Sequence, residues 1–142
     1  MAEHPSFVEV YPVEKGDFLR AGEISSAIKR LLRHLGIGAD VLRSVAVAAY
    51  EAEMNLIIHS LGGEMEFRIE ENTLSLISRD VGPGIPDIDL AMQEGWSTAT
   101  EEIRMLGFGA GMGLPNMRRN CDEFSIHSNG DGTTITMTFH IS

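Results

Sequence analysis

Cysteine and basic residues are scarce in this sequence. Cys121 is the single cysteine, so an internal disulfide is impossible and a structural zinc cluster lacks its ligands. Eleven lysines and arginines stand against twenty-one aspartates and glutamates, which gives a formal net charge of -10. This excess of negative charge repels nucleic-acid phosphates and acidic membranes at long range. We therefore expect neither nucleic acid nor a membrane surface as a partner.

Long apolar runs are also missing. The first twenty residues carry four acidic side chains and no continuous apolar stretch, so they resemble neither a signal peptide nor a membrane-spanning helix. A cytoplasmic location is the corresponding expectation. The chain has 142 residues, which is enough for one domain with its own core, and no linker or repeat divides it. We predict a single domain over residues 1–142.

The apolar pattern of the first half predicts a strand, two helices and a hairpin. A strand over Phe7–Tyr11 precedes a helix over Phe18–Leu35, with Leu19 among its apolar residues at helical spacing. A second helix is predicted from Asp40 to about Leu61, where two glycines end it. The segment Glu64–Arg79 then reads as two short strands joined by a turn.

The second half predicts a long glycine-rich segment between helical and strand patterns. A short helix over 87–94 is followed by residues 95–113, which we interpret as a mobile lid. A helix over 112–120 and a closing hairpin over 124–141 complete the chain. Because strands and helices do not alternate regularly, we predict an α+β fold. It would be a two-layer sandwich, with about three helices on one face of a mixed, mainly antiparallel sheet.

The first candidate motif lies in the second predicted helix. Glu51 and Asn55 are four residues apart, so their side chains project from one face about one turn apart. An amide oxygen is a hard ligand suited to magnesium, and a carboxylate can accept a proton from an attacking hydroxyl. Taken alone, the same spacing is typical of a solvated helix edge, so its interpretation depends on two further motifs later in the chain.

The second motif begins with Asp80, at the end of a predicted strand. Its carboxylate is a suitable acceptor for the exocyclic amine of adenine. Gly82 and Gly84 lack side chains, which allows the backbone and a base to approach closely. The alternative interpretation of these residues is a Gly-Pro turn.

The third motif is a loop of alternating glycines immediately before the helix over 112–120. Its members are Gly107, Gly109, Gly111 and Gly113. Such a loop can present backbone N–H groups to a polyphosphate at a helix N-terminus, although a flexible linker is the alternative. Arg104 lies just upstream, as a candidate for contacting the terminal phosphate or as a free surface arginine. The three motifs in this order predict an ATP site.

These motifs resemble the N, G1 and G2 boxes of the GHKL ATP-binding superfamily, whose members share the Bergerat fold. Within that superfamily, the short chain resembles the anti-sigma-factor and switch serine/threonine kinases of the RsbT, RsbW and SpoIIAB types. The resemblance implies that Glu51 is the general base, Asn55 the magnesium ligand and Asp80 the adenine ligand. It also implies nucleotide contacts from the glycines of both G boxes, from Leu114 and from Thr133.

The resemblance further implies a function and a set of partners. The protein is expected to be a magnesium-ATP-dependent serine/threonine protein kinase of a bacterial partner-switching module, with a STAS-domain antagonist protein as its substrate. A sigma factor, a PP2C-type phosphatase and a second copy of the chain are the other partners it suggests. The alternative is a non-catalytic module that binds nucleotide and docks onto a sigma factor or a phosphatase. The segment Thr100–Leu106 resembles the lid of the RsbW and SpoIIAB types, so both the switch and the anti-sigma roles stay open.

Overall fold

A computed structural model describes residues 7–59, 61–82, 92 and 113–141. The predicted short helix over 87–94 lies almost wholly outside these residues, as does most of the predicted lid over 95–113. The elements in chain order are β1 (Phe7–Val13), a 3-10 turn (Phe18–Arg20), α1 (Glu23–His34), α2 (Ala39–His59), β2 (Gly63–Ile69), β3 (Thr73–Asp80), α3 (Gly113–Asn120), β4 (Glu123–Asn129) and β5 (Gly132–His140).

The five strands form one sheet in the order β1-β2-β3-β5-β4. Every pairing between described strands is antiparallel. The predicted α+β fold is therefore confirmed. Because β3 is the central strand, its last residue, Asp80, lies at the middle of one end of the sheet rather than at an edge.

One face of the sheet packs against the helices. Alternate residues of β2, β3 and β5 point to this side, since side chains along a strand alternate between its two faces. The buried core residues from these three strands are Met65, Phe67, Leu74, Leu76, Ile135, Met137 and Phe139. Those from α1 and α2 include Ile28, Leu32, Val45, Ala48, Ala49, Ala52 and Leu56. Within the described ranges, no helix is both long enough and apolar enough to cross a membrane.

The first helix starts later than its apolar pattern predicted. Gly22 has a φ of +92°, a left-handed conformation that interrupts a regular helix and is easy only for glycine. Residues 18–20 form a separate 3-10 turn, and α1 begins at Glu23. Leu19, which was predicted to lie in this helix, is outside it and is 100% exposed. The helical spacing was right for the rest of α1, because Ile28 and Leu32 are fully buried.

A carboxylate from α2 holds the start of α1. Glu53 is 2% exposed, and its oxygens accept hydrogen bonds from the backbone N–H groups of Gly22 at 3.1 Å and of Ile24 and Ser25 at 3.4 Å. The first N–H groups of a helix have no partner within the helix, so this side chain supplies one from another element. The result is that α1 is attached to α2 at the point where α1 begins.

The other face of the sheet carries a compact set of ion pairs. Glu66 on β2 is 8% exposed and lies 2.9 Å from Arg68 and 3.0 Å from Arg79 on β3. Arg79 also contacts Glu64 at 3.1 Å. Hydrogen bonding from Arg68, with a smaller contribution from Arg79, lowers the pKa of the Glu66 carboxyl below its usual range. On this face, the buried carboxylate of Glu66 therefore forms ion pairs with two arginines.

Candidate functional site

The packing of α2 against α3 places Glu51 beside the N-terminus of α3. Gly113 is the first residue of α3, and a Cβ atom there would lie 3.4 Å from Oε2 of Glu51. The side chain of Asn116, one turn into α3, hydrogen-bonds to the Glu51 carboxylate. Burial raises the pKa of Glu51, and the hydrogen bond from Asn116 opposes that rise in part. A half-buried carboxylate therefore lies beside the helix end that favours bound anions.

Asn55 lies one turn further along the same helix. It is half-buried, and four residues separate it from Glu51, so the two side chains lie on neighbouring turns of one side of α2. Among the residues that the structure describes, no group of three or more His, Cys, Asp or Glu is placed to hold a metal ion. The amide oxygen of Asn55 is the magnesium ligand that the sequence predicted in this part of the chain.

Asp80 is fixed at the end of β3 by the backbone of the neighbouring strand. Its Oδ1 accepts a hydrogen bond of 2.7 Å from the backbone N–H of Thr133 on β5. Burial raises the pKa of the Asp80 carboxyl, and the Thr133 bond opposes the rise. None of the hydrogen bonds between described residues uses the second oxygen of Asp80, Oδ2.

The close approach of β5 to Asp80 depends on a glycine. A Cβ atom at Gly132 would overlap the carbonyl oxygen of Asp80, so any larger residue would push the two strands apart. The buried side chain of the next residue, Thr133, forms a 2.8 Å hydrogen bond with the hydroxyl of Ser128 on β4. The predicted nucleotide residue Thr133 therefore holds Asp80 with its backbone and β4 with its side chain.

The start of the second motif is tied to the turn between β4 and β5. The N–H of Gly82 donates a 3.2 Å hydrogen bond to the carbonyl oxygen of Asp131. The N–H of Leu61 donates to the carbonyl oxygen of Val81, and the N–H of Val81 donates to the carbonyl oxygen of Gly62, so the chain leaving β3 is held on both sides. This arrangement fixes the direction in which the chain continues after Asp80.

The structure thus brings the predicted residues together in two groups. Glu51 meets Gly113 at the junction of α2 and α3, and Asp80 meets Thr133 at the end of the sheet. Leu114 is buried in the hydrophobic core, beside the start of α3. The other predicted contacts lie outside the described residues, namely Gly84, Arg104, Gly107, Gly109 and Gly111.

Two contributing residues were not predicted from the sequence. Asn116 was not predicted because nothing in the sequence indicates which residue of α3 faces α2. Its position three residues after Gly113, which places both residues on one side of a helix, is the signal that could have found it. Gly132 was assigned only to a turn, and its sequence context, Asn-Gly-Asp-Gly, is typical of that role. Both act through contacts between elements that are far apart in the chain.

Comparison with known proteins places this architecture in a family. A protein-family model described as a histidine kinase-like ATPase domain matches residues 18–139, which is most of the chain. The chain belongs to the histidine kinase-like ATPase domain family. This result confirms the resemblance to the GHKL group that the three motifs indicated.

Similar members of the family carry two kinds of name. The serine/threonine-protein kinase RsbT of Bacillus subtilis is 33% identical over 114 residues, covering 75% of this chain and 78% of that protein. An anti-sigma F factor of Bacillus licheniformis is 34% identical over 110 residues, with 72% of each chain covered. Another, from Caldanaerobacter subterraneus subsp. tengcongensis, is 35% identical over 106 residues, covering 70% of this chain and 71% of that protein. The names agree with the predicted group of anti-sigma and switch kinases.

Proposed function

We propose that this histidine kinase-like ATPase domain is a magnesium-ATP-dependent serine/threonine kinase of a bacterial partner-switching module. Its substrate would be a STAS-domain antagonist protein. The observation that carries the proposal is the position of Glu51, a half-buried carboxylate beside Gly113 at the N-terminus of α3. A candidate base and a candidate phosphate-binding helix end are therefore adjacent, as phosphoryl transfer requires.

Asp80 is the proposed adenine ligand. Its Oδ1 is occupied by the Thr133 N–H, which orients the carboxylate and leaves Oδ2 to accept a hydrogen bond from the exocyclic amine. Gly82 and Gly84 would let the base approach the backbone, and Thr133 would complete this end of the site. The fit of adenine rests on the half-buried carboxylate, which has a fixed orientation at the end of the sheet.

The phosphates belong at the other end, beside α3. The backbone N–H groups at the start of this helix favour negative charge, and Gly113 leaves room there because it has no side chain. Gly107, Gly109 and Gly111 would add further N–H groups, Leu114 would line the start of α3, and Arg104 would contact the terminal phosphate. Asn55 would hold magnesium through its amide oxygen. A bound magnesium ion would supply positive charge to the phosphates, and it commonly takes its remaining ligands from phosphate and water.

The proposed reaction is an in-line transfer to a hydroxyl group. The substrate oxygen forms a bond to the γ-phosphorus while the bond from that phosphorus to the bridging oxygen breaks, and ADP leaves. The hydroxyl proton passes to the carboxylate of Glu51. The raised pKa of Glu51 suits it to this role, because a base with a pKa nearer to the working pH holds the abstracted proton better.

A second candidate function is docking without catalysis. The observation that favours it is that similar proteins are named anti-sigma F factor rather than kinase. In this case ATP would bind at the same residues and order the chain for a sigma factor or a phosphatase, with no phosphoryl transfer. The two candidates share the nucleotide site and differ in whether the bound ATP gives up its γ-phosphoryl group.

Two measurements test the proposal in sequence. Calorimetric titration of magnesium-ATP and magnesium-ADP into the full chain should show binding of both nucleotides. Incubation with γ-labelled ATP and purified STAS-domain proteins from the same genome should then label one of them on serine or threonine. Binding with no transfer to any of these proteins would favour the docking function, and a chain that binds neither nucleotide would contradict both.

A further inference from the structure

A concave surface lies between α1 and α2. It encloses about 800 Å³ and is lined on the α1 side by every fourth residue of one helix face, Ser25, Lys29 and Arg33. The α2 side contributes apolar and aromatic groups, among them Leu42, Val47 and Tyr50, and the lining reaches Glu51. We call this surface the α1–α2 groove. It shares Glu51 with the candidate site but is otherwise formed by residues to which the proposed chemistry gives no role.

The charge of the groove is opposite to that of the whole chain. Lys29, Arg33 and Arg43 are three of only eleven basic residues in a protein with a net charge of -10. Among the described residues, Lys29 and Arg33 form no ion pair. Arg43 has only a 3.7 Å contact with the almost fully exposed Asp40, which is weak in water. Positive charge concentrated on an otherwise acidic surface attracts a negatively charged partner and sets its orientation.

The groove also offers apolar surface between these charges. Val47 and Tyr50 are among the large hydrophobic side chains that α2 leaves exposed, and Ile37 and Leu42 are partly buried beside them. A small anion would use the cations and leave this apolar surface in water. A peptide with both acidic and apolar side chains covers both, so it matches the lining better.

We propose that the α1–α2 groove binds an acidic segment of the substrate protein and directs the neighbouring hydroxyl toward Glu51. Along α2 the lining runs from Ala39 to Glu51, about 18 Å at the rise of an α-helix. An extended segment of about five or six residues covers that length. The binding of the segment stands on the groove alone, whereas the delivery of a hydroxyl to Glu51 rests on the proposed kinase function.

The test uses direct binding of defined peptides to the full chain. Fluorescein-labelled six-residue peptides that alternate Glu with Leu around one Ser are titrated with wild-type protein, and fluorescence anisotropy is recorded without ATP. Matched peptides carry Lys in place of every Glu. The charge-reversed double variant Lys29→Glu with Arg33→Glu tests the groove, and Arg33→Glu alone serves if the double variant does not fold. Arg30→Glu, on the same helix but outside the lining, is the matched control.

The proposal expects binding of the acidic peptides only. Affinity should fall at least about tenfold in the double variant, stay unchanged in Arg30→Glu, and weaken as salt rises. The lysine peptides should gain affinity for the double variant. Three results would overturn the proposal: no binding of acidic peptides to wild type, equal losses in the variant and the control, or equal binding of both peptide types.

Self-association is the competing use of the groove, and sedimentation of the same proteins distinguishes it. A dimer in wild type that becomes monomeric in the double variant would assign the groove to a second copy of the chain and overturn the proposal. Because the peptide titration contains no nucleotide, its outcome is independent of the ATP titration. If the chain binds acidic peptides but neither ATP nor ADP, the proposed kinase function is refuted. The proposal that the groove binds acidic peptides would still hold.

Discussion

Acidic residues on the two sides of the sheet have pKa values shifted in opposite directions. On the helical side, burial raises the pKa of Glu51, Glu53 and Asp80, and none of the three forms an ion pair with a described residue. On the other side, two arginines surround Glu66 and lower its pKa. Buried acids that lack a cation are expensive in a structural role and common at functional sites. The difference supports the proposal that the chemistry takes place on the helical side.

On the helical side, two glutamates of α2 contact different helices. Glu51 and Glu53 are two residues apart, about 200° around an α-helix, so they point to nearly opposite sides. Both oxygens of Glu53 accept backbone hydrogen bonds from the start of α1. Glu51 has a side-chain partner in Asn116 and lies beside the end of α3. Of the two, Glu51 is the carboxylate that remains able to accept a proton.

The largest expected effect is on phosphoryl transfer in Glu51→Gln. Loss of a general base typically lowers a rate by about 100- to 10,000-fold, and the amide keeps the shape of the carboxylate. Transfer from labelled ATP to the proposed STAS-domain substrate should fall by about that factor, with ATP affinity nearly unchanged. Glu66→Gln, on the opposite face, is the control and should transfer at the wild-type rate. Equal rates in Glu51→Gln and wild type would remove Glu51 from the mechanism.

The pH dependence of transfer sharpens the role of Glu51. The base must be deprotonated, and its folded-state pKa is raised by burial. The rate should therefore begin to fall at a higher pH than an ordinary glutamate would give, and continue to fall as the pH drops through the raised pKa. A rate that stays constant down to the usual glutamate range would contradict the assignment. Stopped-time assays over the acid range provide the measurement.

The second effect is on stability, in Glu53→Leu. This change leaves three N–H groups at the start of α1 without their acceptor, at a cost of about 3 kcal/mol in the free energy of unfolding. Urea denaturation measures it. Glu53→Gln keeps one acceptor oxygen and should lose about 1 kcal/mol. If Glu53→Leu were as stable as wild type, the attachment of α1 to α2 would not depend on this carboxylate.

The third effect is on nucleotide affinity, in Asp80→Asn. Asparagine can still accept the Thr133 N–H, but an NH2 group then replaces Oδ2 and cannot accept the adenine amine. ATP binding should weaken by about tenfold or more, equivalent to about 1.4 kcal/mol, as read by calorimetry. Asp131→Asn, in the exposed turn beside Gly82, is the matched control. Loss of affinity in the control alone would place the nucleotide elsewhere.

The smallest expected effect concerns the ion pairs on the open face. The lowered pKa of Glu66 means that its charge stabilises the folded state above the unfolded-state pKa, and that this contribution is lost as the pH falls through the folded-state pKa. Glu66→Gln should lower the free energy of unfolding by about 1 kcal/mol at neutral pH, with no difference in strong acid. Glu64→Gln should change less, because the Glu64 side chain is 44% exposed. If the difference in the free energy of unfolding between wild type and Glu66→Gln did not vary with pH, the electrostatic explanation would be refuted.

Local patterns in the sequence were enough to locate part of the candidate site. The i, i+4 spacing of Glu51 and Asn55 and the place of Asp80 at a strand end were visible because helix and strand periods are local properties. The bond between Asp80 and Thr133 joins residues 53 apart in the chain, so its geometry required the pairing of β3 with β5. Leu19 was predicted to lie in the first helix because its spacing is helical, and it is exposed outside that helix because Gly22 separates it from the helix that begins at Glu23.

The sequence by itself predicted most of the described elements, the family and the residue types proposed for the site, since these depend on local periodicity and on residue identity along the chain. The tertiary structure decided which neighbours each carboxylate has. Only the packing of α2 between α1 and α3 directs Glu53 to a helix start and leaves Glu51 beside another. The same packing creates the α1–α2 groove, with its cations drawn from two helices. The physical reason is that burial and hydrogen bonding depend on neighbours in space, which the order of residues specifies only through the fold.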